Sequence, residues 1–254
     1  MTTELLSLGS GSCGNMFLVR CGNTRIAVDD GISCRAAERG MTEAGHNPSS
    51  LDAILITHEH SDHIAGLPIF TKKHPLPVHA AGQSADAIRC AEGCLVRHDP
   101  LYTAVIGDIS VRSFLTPHDS ACSVGYILTC PDCTIGIATD LGCVSPEMQR
   151  LLGACDYVVL ESNHDLRMLE HGPYPPYLIG RIESPTGHLS NDDCAGCVVE
   201  LAAARTKSVL LAHLSEQNNT PELALIATRT ALDRAGFSRF PVTIAARSGN
   251  TRML

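Results

Sequence analysis

The side chains best suited to chemistry are concentrated in one short stretch, Thr57-His58-Glu59-His60-Ser61-Asp62-His63. Three histidines and an aspartate offer the nitrogen and oxygen atoms that ligate divalent metals. Side chains at i and i+2 of an extended segment point the same way, so His58 and His60 can face one ion. Asp62 and His63 lie where a helix would begin and can face another. The spacing therefore suits two metals that share one pocket.

The elements around this stretch predict a strand before it and a helix after it. The apolar run Ala53 to Ile56 precedes it, and the helix-compatible segment Ile64 to Thr71 follows. A hydrated, histidine-rich turn is the plain alternative, but such a turn gives no reason for an apolar strand before it. We therefore favour a metal loop at the carboxyl end of a strand.

Three further apolar runs also end in a possible ligand. The pairs of run and ligand are Ile109 to Leu115 with His118, Thr134 to Ala138 with Asp140, and Ser208 to Ala212 with His213. Polar groups at the carboxyl ends of apolar strands are where α/β sheets place their chemistry. Each signal is weak alone, but together with the first loop they predict one site at the ends of several strands.

The other elements indicate an α/β protein. An opening β-meander is predicted, with strands Leu5 to Leu8, Met16 to Cys21 and Arg25 to Val28. Later elements are a helix Ser33 to Ala44, a strand Val78 to Ala80, a helix Ser84 to Cys90 and a helix through Arg205 that either Ser190 or Asn191 can cap. Ser33 is a plausible N-cap and Gly45 a plausible stop for the first helix. This alternation predicts sheets covered by helices.

The first turn spells Gly9-x-Gly11-x-x-Gly14, and Asp29 follows twenty residues after Gly9. A dinucleotide-binding fingerprint would need a helix N-terminus after the glycines to hold the pyrophosphate. The residues from Met16 to Val19 instead continue as a strand, so we predict a tight turn. The alternative is that Ser12 and Asn15 reach the rim of the metal site.

Bulk composition predicts a globular chain, and its length fits one large domain or two small ones. Apolar residues make up 44% of the 254 residues, and the formal net charge is −8. That charge argues against a large, uniformly basic nucleic-acid surface but leaves room for a local basic channel. No apolar run approaches the roughly 18 residues of a membrane span, and the start lacks the order of a signal peptide. The expected location is the cytoplasm, with no membrane contact.

The twelve cysteines show no compact framework and are expected to be reduced thiols. The pairs Cys130-x-x-Cys133 and Cys194-x-x-Cys197 could jointly hold a structural zinc. However, Pro131-Asp132 fits a hairpin turn, and the second pair lies on a predicted helix. We therefore do not expect a zinc site there.

The order His-x-His-x-Asp-His, His, Asp, His resembles the metallo-β-lactamase superfamily. The resemblance implies an α/β fold, the αββα sandwich of two mixed β-sheets flanked by helices. It also implies that His58, His60 and His118 hold one metal, that Asp62, His63 and His213 hold the other, and that Asp140 bridges the two. Asp29 matches the acid that hydrogen-bonds the metal loop in this superfamily. The ions are divalent zinc, manganese or iron, and they are expected to make water the nucleophile.

Two positions narrow the reaction within this superfamily. Many true β-lactamases carry a cysteine where this chain has Asp140, and an aspartate favours the oxygen-rich metal pair of phosphodiesterases and glyoxalase II-like thioesterases. The flavodiiron oxidoreductases place a glutamate where this chain has His60. Both differences favour hydrolysis of a phosphodiester or thioester.

The second half of the chain looks like the WalJ/YycJ family of bacterial exonucleases that act on DNA ends. The motifs that carry this resemblance are Leu160-Glu161-Ser162-Asn163-His164-Asp165, Gly172-Pro173-Tyr174-Pro175, Arg181-Ile182, Gly187-His188-Leu189-Ser190-Asn191 and His213-Leu214-Ser215-x-x-Asn218-Asn219-Thr220-Pro221. The similarity runs from Ser10 to about Arg247, so it implies a single domain over residues 1–254. It implies a phosphodiesterase whose substrate is nucleic acid, most plausibly DNA. A small-molecule phosphodiesterase, a thioesterase and a non-catalytic metal-binding module remain alternatives.

The same branch includes ribonuclease Z, in which a glutamate and a Gly-His motif assist proton delivery to the leaving oxygen. By that resemblance Glu161 and His188 would supply the proton here, and with Asp62 they form the expected catalytic set. The alternative is that His188 is a residue of a helix-capping loop and has no catalytic role. The candidate substrate contacts are His164, Asn163, Arg181 and Ser12, and further phosphate contacts could come from Arg167, Lys72 and Lys73.

Overall fold

The computed structural model describes residues 2–254 of the chain. These residues fold into two compact units. The first unit runs to Leu115 and also includes Ser120–Asp132 and Ala245–Leu254. The second unit comprises Thr116–Asp119 and Cys133–Ile244. Whether the chain acts as one domain stays a prediction.

Strands and helices alternate along the described residues. The strands are β1 Thr3–Gly9, β2 Met16–Cys21, β3 Thr24–Val28, β4 Ala53–Leu55, β5 Val78–Ala81, β6 Leu95–His98, β7 Thr103–Ile106, β8 Ile109–Leu115, β9 Val124–Thr129, β10 Thr134–Ala138, β11 Tyr157–Glu161, β12 Ser208–Ala212, β13 Val242–Ile244 and β14 Ser248–Arg252. The helices are α1 Cys34–Glu43, α2 Ser61–Ile64, α3 Leu67–Lys73, α4 Ser84–Ala87, α5 Pro146–Gly153, α6 Leu166–His171, α7 Pro176–Ile182, α8 Asn191–Ala203 and α9 Pro221–Arg234, with a 3₁₀ turn at Pro48–Ser50.

The first sheet lies wholly in the first unit, in the order β14-β1-β2-β3-β4-β5-β6. Its first four strands pair antiparallel, and β3 through β6 run parallel. A two-residue turn joins β2 to β3 and pairs Cys21 with Thr24. Its first position, Gly22, has φ +58°, which favours glycine. The predicted meander is therefore observed.

The second sheet also has seven strands, from β13 through β12, β11, β10, β9 and β8 to β7. Within the first unit, β7, β8 and β9 pair antiparallel. Within the second unit, β10 to β13 run parallel, and nearly all of their residues are buried apart from those of β13. Strands buried on both faces read as continuous apolar runs, as these do. Both sheets are thus mixed, as the sequence predicts.

Helices cover the sheets in each unit. In the first unit α1 packs on β1 and α3, and its N-cap Ser33 accepts a hydrogen bond from the amide of Ala36. In the second unit α8 packs on α5 and α9, and its N-cap Ser190 accepts from the amide of Asp193. The predicted cap Ser33 is confirmed, and of the two candidates for the later helix Ser190 is the cap. The core of the first unit is largely aliphatic, with Leu6, Leu18, Met41, Ile54 and Phe70 among its members.

One predicted helix is shorter in the structure. The segment predicted to be helical from Ser84 to Cys90 ends at Ala87. Ile88 adopts extended backbone there, at φ −65° and ψ 130°, and its side chain is buried in the core of the first unit. Burial of this side chain outweighs the weak propensity to continue a short helix.

No helix in residues 2–254 is both long enough and apolar enough to cross a membrane.

A stack of rings supports the strand before the metal loop. His79 Nδ1 lies 2.8 Å from His98 Nε2, and the His98 ring stacks on Tyr102 at 3.9 Å. The Tyr102 hydroxyl donates to that of Tyr126, which donates in turn to the carbonyl of Ile56 at 2.6 Å. Burial and the neighbouring His98 lower the pKa of His79 to about 4. His79 and His98 are thus part of the packed structure.

Protonation of His79 is expected to make folding pH-dependent. A histidine with a lowered pKa in the fold binds protons better when unfolded, so its contribution is complete above about pH 6.5 and is lost as the pH falls towards 4. We expect the free energy of unfolding to be about 1 kcal/mol lower at pH 5 than at pH 7.5 from this group alone, since solvent screens part of the effect at this partly exposed ring. Urea denaturation of the wild type and of His79→Gln at both pH values measures it. An equal pH difference in both proteins would contradict it.

Candidate metal centre

Three strands end in residues with unusual backbone. Asp29 follows β3, Asp140 follows β10 by two residues and His213 follows β12, with φ values of +62°, +59° and +54°. They are the non-glycine residues with positive φ in the part of the chain that the structure describes. Such backbone costs on the order of 1–3 kcal/mol for a non-glycine residue and clusters at functional sites. All three residues were singled out from the sequence.

The metal loop of the first unit brings its histidine rings together. His60 has extended backbone, at φ −62° and ψ 148°, and α2 begins at Ser61, so Asp62 and His63 lie in its first turn. The His58 ring centroid is 4.5 Å from that of His60 and 4.2 Å from that of His63. One oxygen of Asp62 is 3.4 Å from His63 Nε2. The predicted change from strand to helix within the loop is therefore observed.

Asp29 stabilises the metal loop through hydrogen bonds to two of its residues. Its carboxylate accepts hydrogen bonds from the amide and hydroxyl of Thr57, at 2.8 and 3.0 Å, and contacts His63 Nδ1 at 2.8 Å. Asp29, Thr57 and His63 are all buried. A carboxylate that holds Nδ1 fixes the ring so that Nε2 is the nitrogen that can ligate an ion. This is the contact expected of Asp29.

Replacing Asp29 with asparagine is expected to weaken metal binding about 10- to 100-fold. Asparagine has nearly the same shape and tolerates positive φ, so the backbone can persist while one acceptor oxygen becomes a donor. Titration of the apo-protein with Zn²⁺ or Mn²⁺ by calorimetry measures the affinity. Asp52→Asn, at a carboxylate that accepts from the amide of Arg25 away from the loop, is the control. Unchanged affinity in Asp29→Asn would contradict the role.

The second unit carries its own cluster of possible ligands. Asp140, Glu161, His188 and His213 each offer one ligand atom, and these atoms all lie within 4.8 Å of one another. One Glu161 oxygen is 2.8 Å from both His188 Nδ1 and His213 Nδ1. The Asp140 carboxylate lies 3.5 Å from His213 Nδ1 and 3.8 Å from His188 Nδ1. In the part of the chain that the structure describes, the groups of this kind contain no cysteine.

His118 joins the same cluster through a backbone contact. Its Nδ1 lies 3.1 Å from the carbonyl of Gly187, and its Nε2 lies 3.7 Å from the Asp140 carboxylate. His63, His118 and His213 therefore each have Nδ1 beside an oxygen of a carboxylate or carbonyl. This arrangement is typical of metal-ligating histidines, whose second nitrogen binds the ion. The donor set fits a divalent metal.

Charges in the cluster set its protonation. Burial alone would raise the pKa of Glu161. The charge of His188 and the hydrogen bonds from His188 and His213 outweigh burial and lower this pKa to about 2. Burial also opposes the shift at His188, but the Glu161 carboxylate raises the pKa of His188 above its usual value. The pair therefore combines a carboxylate with a histidine that retains its proton more readily than in water.

The candidate substrate contacts occupy different environments. Ser12 is exposed in the turn after β1. Asn163 donates to the carbonyl of His213 at 3.0 Å, and His164 is buried beside it. Arg181 forms an ion pair with Asp119. Asn163 therefore supports a predicted ligand, and the substrate roles of all four residues stay predictions.

Several supporting residues were not identified from the sequence. Thr57 and the carbonyl of Gly187 hold histidine rings, and a backbone carbonyl carries no signal of its own in the sequence. Asn15 was weighed only as a rim residue, yet it is buried and its side-chain amide lies 3.2 Å from His63 Nε2. Glu59 accepts from the amide of Ala121 and from the Ser84 hydroxyl, which ties the metal loop to two neighbouring segments. Apart from Thr57, these residues lie far in the sequence from the groups that they contact, so local patterns do not reveal the contacts.

Comparison with known proteins identifies relatives along most of the chain. A family model described as a beta-lactamase superfamily domain matches residues 24–214. The chain is 37% identical over 235 residues to exodeoxyribonuclease YycJ of Bacillus anthracis, which covers 91% of this chain and 89% of that protein. It is 36% identical over 225 residues to exodeoxyribonuclease WalJ of Streptococcus pneumoniae, which covers 85% of this chain and 83% of that protein.

Solved structures share the fold at low sequence identity. The metallo-β-lactamase fold protein YhfI from Bacillus subtilis matches with a TM-score of 0.75 and 16% identity, over 99% of this chain and 100% of that chain. The short form of human tRNase Z matches with a TM-score of 0.65 and 17% identity, over 98% of both chains. These likenesses establish the architecture of the chain.

Proposed function

Because the chain belongs to the WalJ/YycJ family of the metallo-β-lactamase superfamily, we propose that it is a metal-dependent exonuclease that hydrolyses DNA from an end. The identity to two proteins named exodeoxyribonucleases, over more than four fifths of each chain, supports DNA as the substrate. The two clusters of histidine and carboxylate side chains support a metal-dependent reaction.

The ligands of the proposed site are those that the family resemblance implies. His58, His60 and His118 would hold one divalent ion, Asp62, His63 and His213 would hold the other, and Asp140 would bridge them. When bound, such ions would supply a water of lowered pKa and would polarise the phosphoryl oxygens. Zinc, manganese and iron all suit a set of imidazole and carboxylate ligands.

The contact that best supports catalysis is the shared carboxylate of Glu161. One oxygen of Glu161 is 2.8 Å from His213, a proposed ligand, and 2.8 Å from His188, the proposed proton donor. Glu161 thereby fixes both rings and favours the protonated form of His188. Because its Nδ1 is held by Glu161, His188 would deliver the proton from Nε2 to the leaving oxygen of the cleaved strand. Asp62 would help to place the attacking water.

A substrate panel tests the proposal. The metal-loaded protein is incubated with end-labelled duplex DNA, single-stranded DNA, RNA and bis(p-nitrophenyl) phosphate. We expect release of nucleotides from DNA ends without a ladder of internal cuts. Turnover of the small ester with intact polymers would favour a small-molecule phosphodiesterase instead, and hydrolysis of a thioester alone would favour a glyoxalase II-like enzyme. Elemental analysis of protein purified without added metal identifies the ions.

A further inference from the structure

The first unit contains a cavity of about 390 Å³ that the proposed chemistry does not use. Its volume lies within the range of roughly 300–1,000 Å³ typical of pockets for small ligands. Leu8 and Ile32 give it an apolar part, while Arg39 and Arg247 give it positive charge against the single acid Glu43. An apolar surface beside two guanidinium groups matches a nucleotide, which has an apolar face and an anionic phosphate.

The glycine-rich turn after β1 forms one wall of this cavity. Gly9, Cys13 and Gly14 all line it. Gly14 has φ +142°, and a Cβ there would lie 2.6 Å from the carbonyl of Gly31, so no other residue fits without displacing the backbone. Glycine at this position therefore lets two loops approach closely and keeps the wall free of side chains.

The turn that lines the cavity also contacts the metal loop. Asn15, the residue after Gly14, donates its backbone amide to the carbonyl of Asp62 at 2.8 Å. The side-chain amide of Asn15 lies 3.3 Å from the Asp62 carboxylate and 3.2 Å from His63 Nε2. One residue therefore separates the wall of the cavity from two proposed metal ligands.

One of the arginine side chains that line the cavity can contact a ligand. Arg39 is exposed on α1, and across residues 2–254 its side chain makes no hydrogen bond or ion pair. The chain as a whole carries a net charge of −8, so an arginine pair in one concave surface is a local exception. Arginine is the usual partner of phosphate in proteins that bind nucleic acid.

We infer that this cavity binds a nucleotide of the substrate strand that flanks the one being cleaved, with Arg39 contacting its backbone phosphate. The inference rests on the proposed nuclease function and adds a binding site to it. The site would recognise the sugar-phosphate backbone without reading the base sequence. Its contribution would be to affinity for the polymer, since Arg39 is not among the residues proposed to bind metal or to deliver the proton.

Arg39→Ala tests the site, with Arg234→Ala as the matched control. Arg234 is also exposed, lies on α9 and makes no hydrogen bond or ion pair within the described residues. Alanine is compatible with both helices. We expect Arg39→Ala to raise KM for single-stranded DNA about tenfold and to reduce the slope of log affinity against log salt by about 0.7, the value for one phosphate. Turnover of bis(p-nitrophenyl) phosphate and the thermal melting temperature should not change.

The outcomes separate failure of the cavity from failure of the nuclease function. Unchanged KM and salt slope in Arg39→Ala, with active wild-type protein, would overturn the cavity and leave the nuclease intact. Equal losses on DNA and on the small ester would show a general disturbance of the active site and would also overturn it. Wild-type protein that neither binds nor degrades DNA would overturn both. Partial restoration by Arg39→Lys would support a charge contact.

A chemical footprint provides a readout that is independent of turnover. Cys13 lines the cavity with an exposed thiol. Bound single-stranded DNA should slow alkylation of Cys13 severalfold in wild-type protein under EDTA, as measured by mass spectrometry of its peptide. The protection should be lost in Arg39→Ala at the same DNA concentration and kept in Arg234→Ala. Equal alkylation of Cys13 with and without saturating DNA would contradict occupation of the cavity.

Discussion

Replacing Asp140 with asparagine is expected to reduce DNA hydrolysis by on the order of a thousandfold or more and to lower the bound metal. The Asp140 carboxylate is buried, with His118 at 3.7 Å and His213 at 3.5 Å. Removing its charge takes away the proposed bridging ligand while the side-chain volume stays the same. Asparagine also tolerates the φ of +59° at this position, so the backbone is not a competing cause. Steady-state rates and elemental analysis after dialysis measure the two effects.

Asp233→Asn provides the control, because Asp233 is an exposed carboxylate on α9 in the same unit. It should keep both activity and metal content. Asp140→Asn with normal activity would exclude a bridging role. Normal metal content with lost activity would instead place Asp140 beside the reacting water without making it a ligand.

The parts of the site that were predictable from the sequence are those with local signals. The spacing of His58, His60, Asp62 and His63 depends only on the periods of strand and helix, and the structure has a strand before the loop and a helix from Ser61. The caps Ser33 and Ser190 were also predictable, because a capping side chain bonds an amide only three residues away. The predicted family and fold are confirmed by relatives that match along most of the chain.

The long-range pairs could not be derived in this way. Asp29 meets His63 across 34 residues and Glu161 meets His213 across 52, and both contacts depend on how strands are ordered in the sheets. The resemblance suggested roles for these acids, but only the structure gives their partners. The carbonyl of Gly187 beside His118 was even less predictable, because every residue has a backbone carbonyl that could make the same contact. Local sequence patterns therefore predict which residues could ligate a metal, whereas the order of the strands determines which residues orient them.

Replacing His188 with alanine is expected to lower the rate of DNA hydrolysis by about a hundred- to ten-thousandfold and to leave metal content unchanged. His188 is the partly exposed member of its cluster, with 22% of its side chain accessible, whereas Asp140 and His213 are almost fully buried. Glu161 holds its Nδ1 and raises its pKa, so the protonated ring can face the substrate. Single-turnover kinetics on end-labelled DNA and elemental analysis measure the two quantities.

The leaving group distinguishes proton donation from metal binding. Cleavage of DNA expels a strongly basic alkoxide that needs a proton, whereas bis(p-nitrophenyl) phosphate expels a stable phenolate that does not. A proton donor should therefore matter far less for the small ester, and His188→Ala should retain most of that activity. Glu161→Gln should lose activity on both substrates together with metal, because the same carboxylate orients His213. Equal losses on both substrates with depleted metal in His188→Ala would make His188 a ligand and assign the proton to another group.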